Sequence, residues 1–226
     1  MAKHELVQDS FQRVGLAYGY ANVNAQFHPF KEFKTTWSRC GSQAEFKVTD
    51  YLANGEEEVL QDFAHCLFRR IQNKRKEVYS DRLKGWLQSA EFLERNRPLY
   101  LARSRNLRLD SRGNAYDLDE LLGSLRSKGL VTDGHMAYLS WTDRPNRFRM
   151  GYCSVLMKVV AISSALDCES VPDFVAEYVL YHEMLHLQNG LASLCSHHDA
   201  DFRRQERRYP RWKEAESWLK KVASVR

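Results

Sequence analysis

In YHEMLHLQNG, residues 181 to 190, two histidines stand four apart and a glutamate directly follows the first. On a helix, at about 100° per residue, His182 and His186 lie one above the other, while Glu183 sits about 100° round from His182. Two imidazoles so placed can hold Zn²⁺, and a carboxylate beside them can draw a proton from water. Val175 and Val179 share the histidine face, so the imidazoles emerge from an apolar stripe. A third ligand is needed, and SLCSHHDADF offers His197 and His198. Distance alone allows either. His198 is preferred because Phe202 lies one turn further on, where it can pack on the core and aim the imidazole inward. Three neutral imidazoles leave one coordination position open, the pattern of a catalytic rather than a structural zinc. The expectation is one Zn²⁺ per chain, with Glu183 as general base in amide hydrolysis. Tyr152, Tyr181, Tyr209 and Arg208 are the candidate donors to an oxyanion.

The motif needs a helix to carry it and a sheet to brace it. SVPDFVAEYVLYHEMLHLQNG predicts a helix from Ser170 to Asn189, with Ser170 and Asp173 forming a capping pattern, Pro172 in the first turn and Gly190 as the stop. HMAYLSW, NRFRMGYCS and LMKVVAISSAL predict three strands of an antiparallel meander, and HMAYLSW is the candidate edge along which a peptide would lie. DLDELLGSLRSKGL reads as a helix closing near Gly129, and SRGNAY as a turn-rich connector and internal boundary.

Upstream, FKEFKTTWSRCGSQAEFKVTDYL reads as a hairpin, and EEEVLQDFAHCLFRRIQ as a helix with acids first and bases last. From there to about residue 108 the chain reads as helical and basic, broken at Pro98. The division expected is a helix-rich region with a short hairpin over 1–110 and the metal-bearing core over 111–226. FKVTDYL followed by a helix echoes VAISSAL followed by a helix, but the first copy holds only His65 and no HExxH, so it could be no more than a structural duplicate.

The whole chain sets bounds on these readings. Its 226 residues suffice for a sizeable core, and 43% hydrophobic with 28% charged residues exclude wholesale disorder. No apolar window approaches the length of a membrane span, and MAKHELVQDSFQRVG has no apolar run of signal-peptide length, which predicts a cytoplasmic protein without a membrane partner. Five scattered cysteines without a CxxC pair fit reduced thiols. The net charge of +5 is uneven: residues 65–108 carry 12 Lys and Arg against 4 Asp and Glu. RRIQNKRK and RRQERRYPR are the densest basic runs, more often a solvated face than a phosphate-binding surface.

FRMGYCS, VVAISSALD, VPDFVAEYVLYHEMLHL, SHHDADF and the closing YPRWKEAESWL together resemble the SprT-like and YgjP-like zincin metallopeptidases over residues 147–226. In that family a strand precedes an HExxH helix, and a downstream histidine followed four residues later by Phe or Trp completes the zinc site. The resemblance implies a zincin-like α+β fold, a small mostly antiparallel sheet packed on the active helix, with His182, His186 and His198 as ligands. It implies a protein or peptide substrate. Some members act on proteins crosslinked to DNA, which makes DNA binding through the basic runs the alternative reading; the cysteine-paired ribbon that many of those members carry has no counterpart here. A non-catalytic metal scaffold is the third reading, and Glu183 would have no use in it.

Overall fold

The computed structural model describes residues 3–73, 79–132, 134, 136–191 and 198–224. It is a mixed α+β protein that divides into two compact units, 1–96 and 97–226. The first contains α1 (Lys3–Ala17), β1 (Asn22–His28), β2 (Thr36–Cys40), β3 (Gln43–Thr49), a 3-10 turn (Asp50–Leu52), α2 (Glu57–Asn73) and α3 (Asp81–Leu87). Helix α4 (Ala90–Arg103) carries the division between the units. The second contains α5 (Leu118–Ser127), β4 (Tyr138–Trp141), β5 (Gly151–Ser154), β6 (Val159–Ile162), a 3-10 turn (Ser164–Leu166), α6 (Asp173–Gln188), α7 (Ala200–Glu206) and α8 (Trp212–Ser224).

Each unit has one three-stranded sheet, and the two sheets are wired alike. The orders are β1-β3-β2 and β4-β6-β5; in each the last strand lies in the middle, parallel to the first and antiparallel to the second. The first residues of β1, β3 and α2 (22, 43, 57) recur at β4, β6 and α6 (138, 159, 173), a constant spacing of 116. The echo between FKVTDYL and VAISSAL therefore extends to the whole succession of helix, three strands, 3-10 turn and helix.

Two expectations about the sheets are corrected. The three C-terminal strands do not form an antiparallel meander, and neither sheet is mostly antiparallel: each has one parallel and one antiparallel pairing. Strand periodicity marks where a strand is but carries nothing about which neighbour it takes. The N-terminal hairpin exists as β2 and β3 and gains β1 as a parallel third strand.

Alternation explains how the first sheet is buried on one face only. β1 and β3 place Val23, Ala25, Ala44, Phe46 and Val48 inward and leave their intervening residues exposed, as a half-buried strand must. Val7, Phe11 and Val14 of α1 and Phe63 and Phe68 of α2 complete that core. In the second unit every residue of β6 is buried, and α6 is buried nearly all round. A helix without a polar face belongs at the centre of its unit, and α6 packs against β5, β6, α5, α7 and α8.

Pro98 does not break its helix; it lies inside α4, costing one backbone hydrogen bond without ending the element. Ser170 does not cap α6 either. The N-cap is Pro172, and the Asp173 carboxylate accepts from the Phe174 amide at 2.6 Å. The stop is as expected: Asn189 closes the helix and Gly190 turns the chain at φ 55°. SRGNAY is no loose connector. Its chain folds around the buried Asp167 carboxylate, which accepts from the amides of Asn114 (2.7 Å) and Ala115 (2.9 Å) and from the Arg108 guanidinium (3.0 Å). Burial opposes ionisation of Asp167, but these donors outweigh it and hold the carboxyl below its usual range.

Candidate metal centre

Helix α6 presents His182 and His186 one turn apart, and the chain entering α7 brings His198 to meet them. The His198 Nε2 lies 3.2 Å from the Nε2 of His182 and 3.2 Å from that of His186. A tetrahedral ion bonded to imidazoles at about 2.05 Å separates its ligand atoms by about 3.3 Å, so this spacing suits one ion held by all three. Among the described residues these three form the one cluster whose His, Cys, Asp or Glu ligand atoms gather closely enough for a metal.

The sequence accounts for this convergence locally. Asp199 caps α7 by accepting from the Phe202 amide at 2.8 Å, which starts the helix immediately after His198. His198 itself takes a left-handed backbone conformation, φ 57°, which a non-glycine residue adopts at a cost of about 1 kcal/mol. Phe202 is buried beneath the trio, its ring 5.1, 4.6 and 4.8 Å from the rings of His182, His186 and His198. The aromatic one turn after the third histidine thus touches all three imidazoles. His197, the other candidate, lies outside the described residues.

One residue that the sequence reading overlooked completes the arrangement. Glu206, on α7, sets its Oε1 2.6 Å from His182 Nδ1. A carboxylate there fixes the proton on Nδ1 and turns the Nε2 lone pair toward the centre. Burial alone would push the His182 imidazole toward neutrality, but Glu206 outweighs it and raises the pKa, while the carboxyl of Glu206 is lowered in return. Its signal was spacing: His198, Phe202 and Glu206 follow one another at intervals of four.

Glu183 is buried, 6% exposed, and lies against β5. Gly151 makes room for it, since a Cβ there would stand 2.8 Å from Glu183 Oε1 and 2.9 Å from Val179 Cγ1. Burial pushes the Glu183 carboxyl up to about 7, against the opposing charges of His182 and Arg149. The neighbouring Cys153 thiol is pushed well up by burial and by that carboxylate.

Two of the four expected donors are engaged elsewhere. The Tyr181 hydroxyl donates to the Gln205 carbonyl at 2.7 Å, and that of Tyr209 to the Phe174 carbonyl at 3.0 Å and to Glu177. Arg208 is exposed on the chain leaving α7, and Tyr152, on β5, lies 4.8 Å beneath the Arg149 guanidinium. HMAYLSW holds β4, an edge strand of its sheet as expected, but its end at Trp141 is already paired. At Trp141 the outer side of β4 is occupied, the Arg108 amide donating to the Trp141 carbonyl at 3.0 Å and the Trp141 amide to the Asp110 carbonyl at 3.1 Å. β5, at the opposite edge of that sheet, is the strand that meets Glu183.

Of the basic runs, Arg69 and Arg70 are exposed at the end of α2, whereas Lys74 and Arg75 lie outside the described residues. In the C-terminal run, Arg204 pairs with Asp201, Arg211 with Glu214, and Arg207 covers the Trp212 ring. No described helix is long and apolar enough to cross a membrane. No protein-family model, curated protein or solved structure matches the chain.

Proposed function

We propose that this chain is a zinc-dependent peptidase that hydrolyses peptide bonds, with His182, His186 and His198 as ligands and Glu183 as general base. The observation that carries this reading is the meeting of three Nε2 atoms beside a buried carboxylate on the same helix. Bound there, zinc would supply Lewis acidity, lowering the pKa of a water and polarising a carbonyl. Glu183 accepts a proton from the attacking water as the new C–O bond forms, and delivers it to the amide nitrogen as the C–N bond breaks. Its burial against Gly151 fixes its rotamer and excludes bulk water from its apolar side. Glu206 acts through His182 as a positioning residue. An extended substrate lies along β5, the edge strand that touches the base. The resemblance to the SprT-like and YgjP-like zincins supports the same assignment of roles.

Glu183→Gln tests the reading. Zinc content should stay at one ion per chain while hydrolysis of an unfolded protein substrate falls by about 10²- to 10⁴-fold. Undiminished hydrolysis would remove Glu183 from the mechanism, and a protein that takes up no zinc on reconstitution would end the reading altogether.

A further inference from the structure

The chain between β4 and β5 is firmly held and yet displays its largest apolar side chain. Asn146 anchors it: its amide donates to Ser163 Oγ at 2.8 Å, its carbonyl accepts from the same hydroxyl at 2.7 Å, and its side-chain oxygen accepts from the amides of Phe148 and Arg149, both at 2.9 Å. Ser163 further donates its own amide to the Met150 carbonyl at 2.8 Å. On this fixed backbone Phe148 is 97% exposed. Arg144, Arg147 and Arg149 are exposed around it, opposed within the segment by Asp143 alone.

The corresponding chain of the first unit shows that such exposure is no requirement of the fold. Pro29 and Pro145 stand at the same spacing of 116, each opening a stretch of mixed basic and aromatic residues. In the first unit the aromatics turn in: Phe30 and Phe33 are half-buried, Phe33 packs on Phe63 at 5.8 Å, and Lys34 covers Phe30 at 4.8 Å. Only in the unit with the metal ligands does the aromatic point to solvent.

Position decides what the display faces. Arg149 lies two residues before Gly151, or about 7 Å along an extended chain from the point where β5 meets Glu183. Its guanidinium is held 4.8 Å over the ring of Tyr152, the residue that follows Gly151 on β5. We propose that residues 143–150 are the specificity wall of this site, selecting extended peptide segments with an acidic side chain about two residues from the scissile bond and an apolar neighbour over Phe148. The proposal rests on the peptidase reading. Charge complementarity favours an acidic segment, and a single exposed aromatic in line with an edge strand suits a peptide better than the successive stacking platforms that a nucleic acid strand requires.

The test measures binding and cleavage separately. Fluorescence anisotropy on the full chain carrying Glu183→Gln would compare a labelled Glu- and Leu-containing peptide, the same peptide with Ser for Glu, and a single-stranded oligonucleotide. The acidic peptide should bind about two- to fivefold tighter than the neutral one. Arg149→Ser should erase that preference, Arg149→Lys should restore part of it, and Phe148→Ser should weaken both peptides. Equal binding of the two peptides would overturn the proposal, as would tighter binding of the oligonucleotide through the same residues. Cleavage by the unmodified chain without acidic preference would sink the specificity wall and leave the peptidase standing. An acidic preference in binding without any cleavage would overturn the peptidase reading and, with it, selection around a scissile bond.

Discussion

The two units share a topology but not a chemistry, and the difference is concentrated on one helix. At the spacing of 116, His182, Glu183 and His186 correspond to Cys66, Leu67 and Arg70 of α2. There the helix spends its polar groups on packing: His65 Nδ1 lies 3.2 Å from the Tyr18 hydroxyl, which also accepts from Arg69 at 3.2 Å. The second strands differ too: in register, Gly151 opposite Ile162 corresponds to Trp37 opposite Phe46 in the first unit. One arrangement of strands and helices thus supports either a packed polar cluster or a candidate metal centre. A handful of side chains decides which.

The largest effect should come from making the second unit resemble the first. His186→Arg removes one of three ligands and places a cation where an ion would sit, so zinc affinity should drop by at least about a thousandfold. Elemental analysis against the parent chain reads the result; a variant that kept its ion would show that His186 is no ligand.

Next comes the loop anchor that only the second unit has. Asp167 closes its 3-10 turn at the place where Ala53, with no side-chain acceptor, closes the corresponding turn of the first unit. Asp167→Ala leaves Arg108 and the loop amides without their acceptor and should cost about 3 kcal/mol in urea unfolding at neutral pH. Because the folded pKa is lowered, the contribution is complete above the ordinary carboxylate value of about 4 and is lost as pH falls through the folded value. Asp167→Asn should therefore flatten the acid side of the stability profile, and an unchanged profile would reassign that dependence to other carboxylates.

The smallest effect is expected at Glu206. Glu206→Gln keeps the shape of the side chain and should lower zinc affinity by about 10- to 100-fold while one ion still binds. Competition with a chromophoric chelator measures the shift; parity with the parent would leave the carboxylate a purely structural tie from α7 to α6.

Legibility in the sequence followed the range of the interactions involved. HExxH and its helix could be read because ligand spacing and helical period are local, and His198 with Phe202 because one turn relates them. The hairpin of β2 and β3 was legible for the same reason. Helix α1 and strand β1 escaped notice, since α1 ends in a weakly patterned GLAYGYAN and the inward residues of β1, Val23 and Ala25, are small. The parallel pairings of β1 with β3 and β4 with β6 join distant segments, and no local period encodes them. Pro98 misled because its cost is borne within α4, and the return of residues 107–110 to the end of β4 is a distant pairing that no local period encodes.

The order of strands bears on how each unit is made. In both sheets the middle strand is the last of the three in the chain, so neither sheet can be laid down in order of synthesis. While a ribosome is still extending β2 or β5, the preceding β1 or β4 has no partner to pair with. Its inner edge is paired only when the third strand emerges and enters between the two already made.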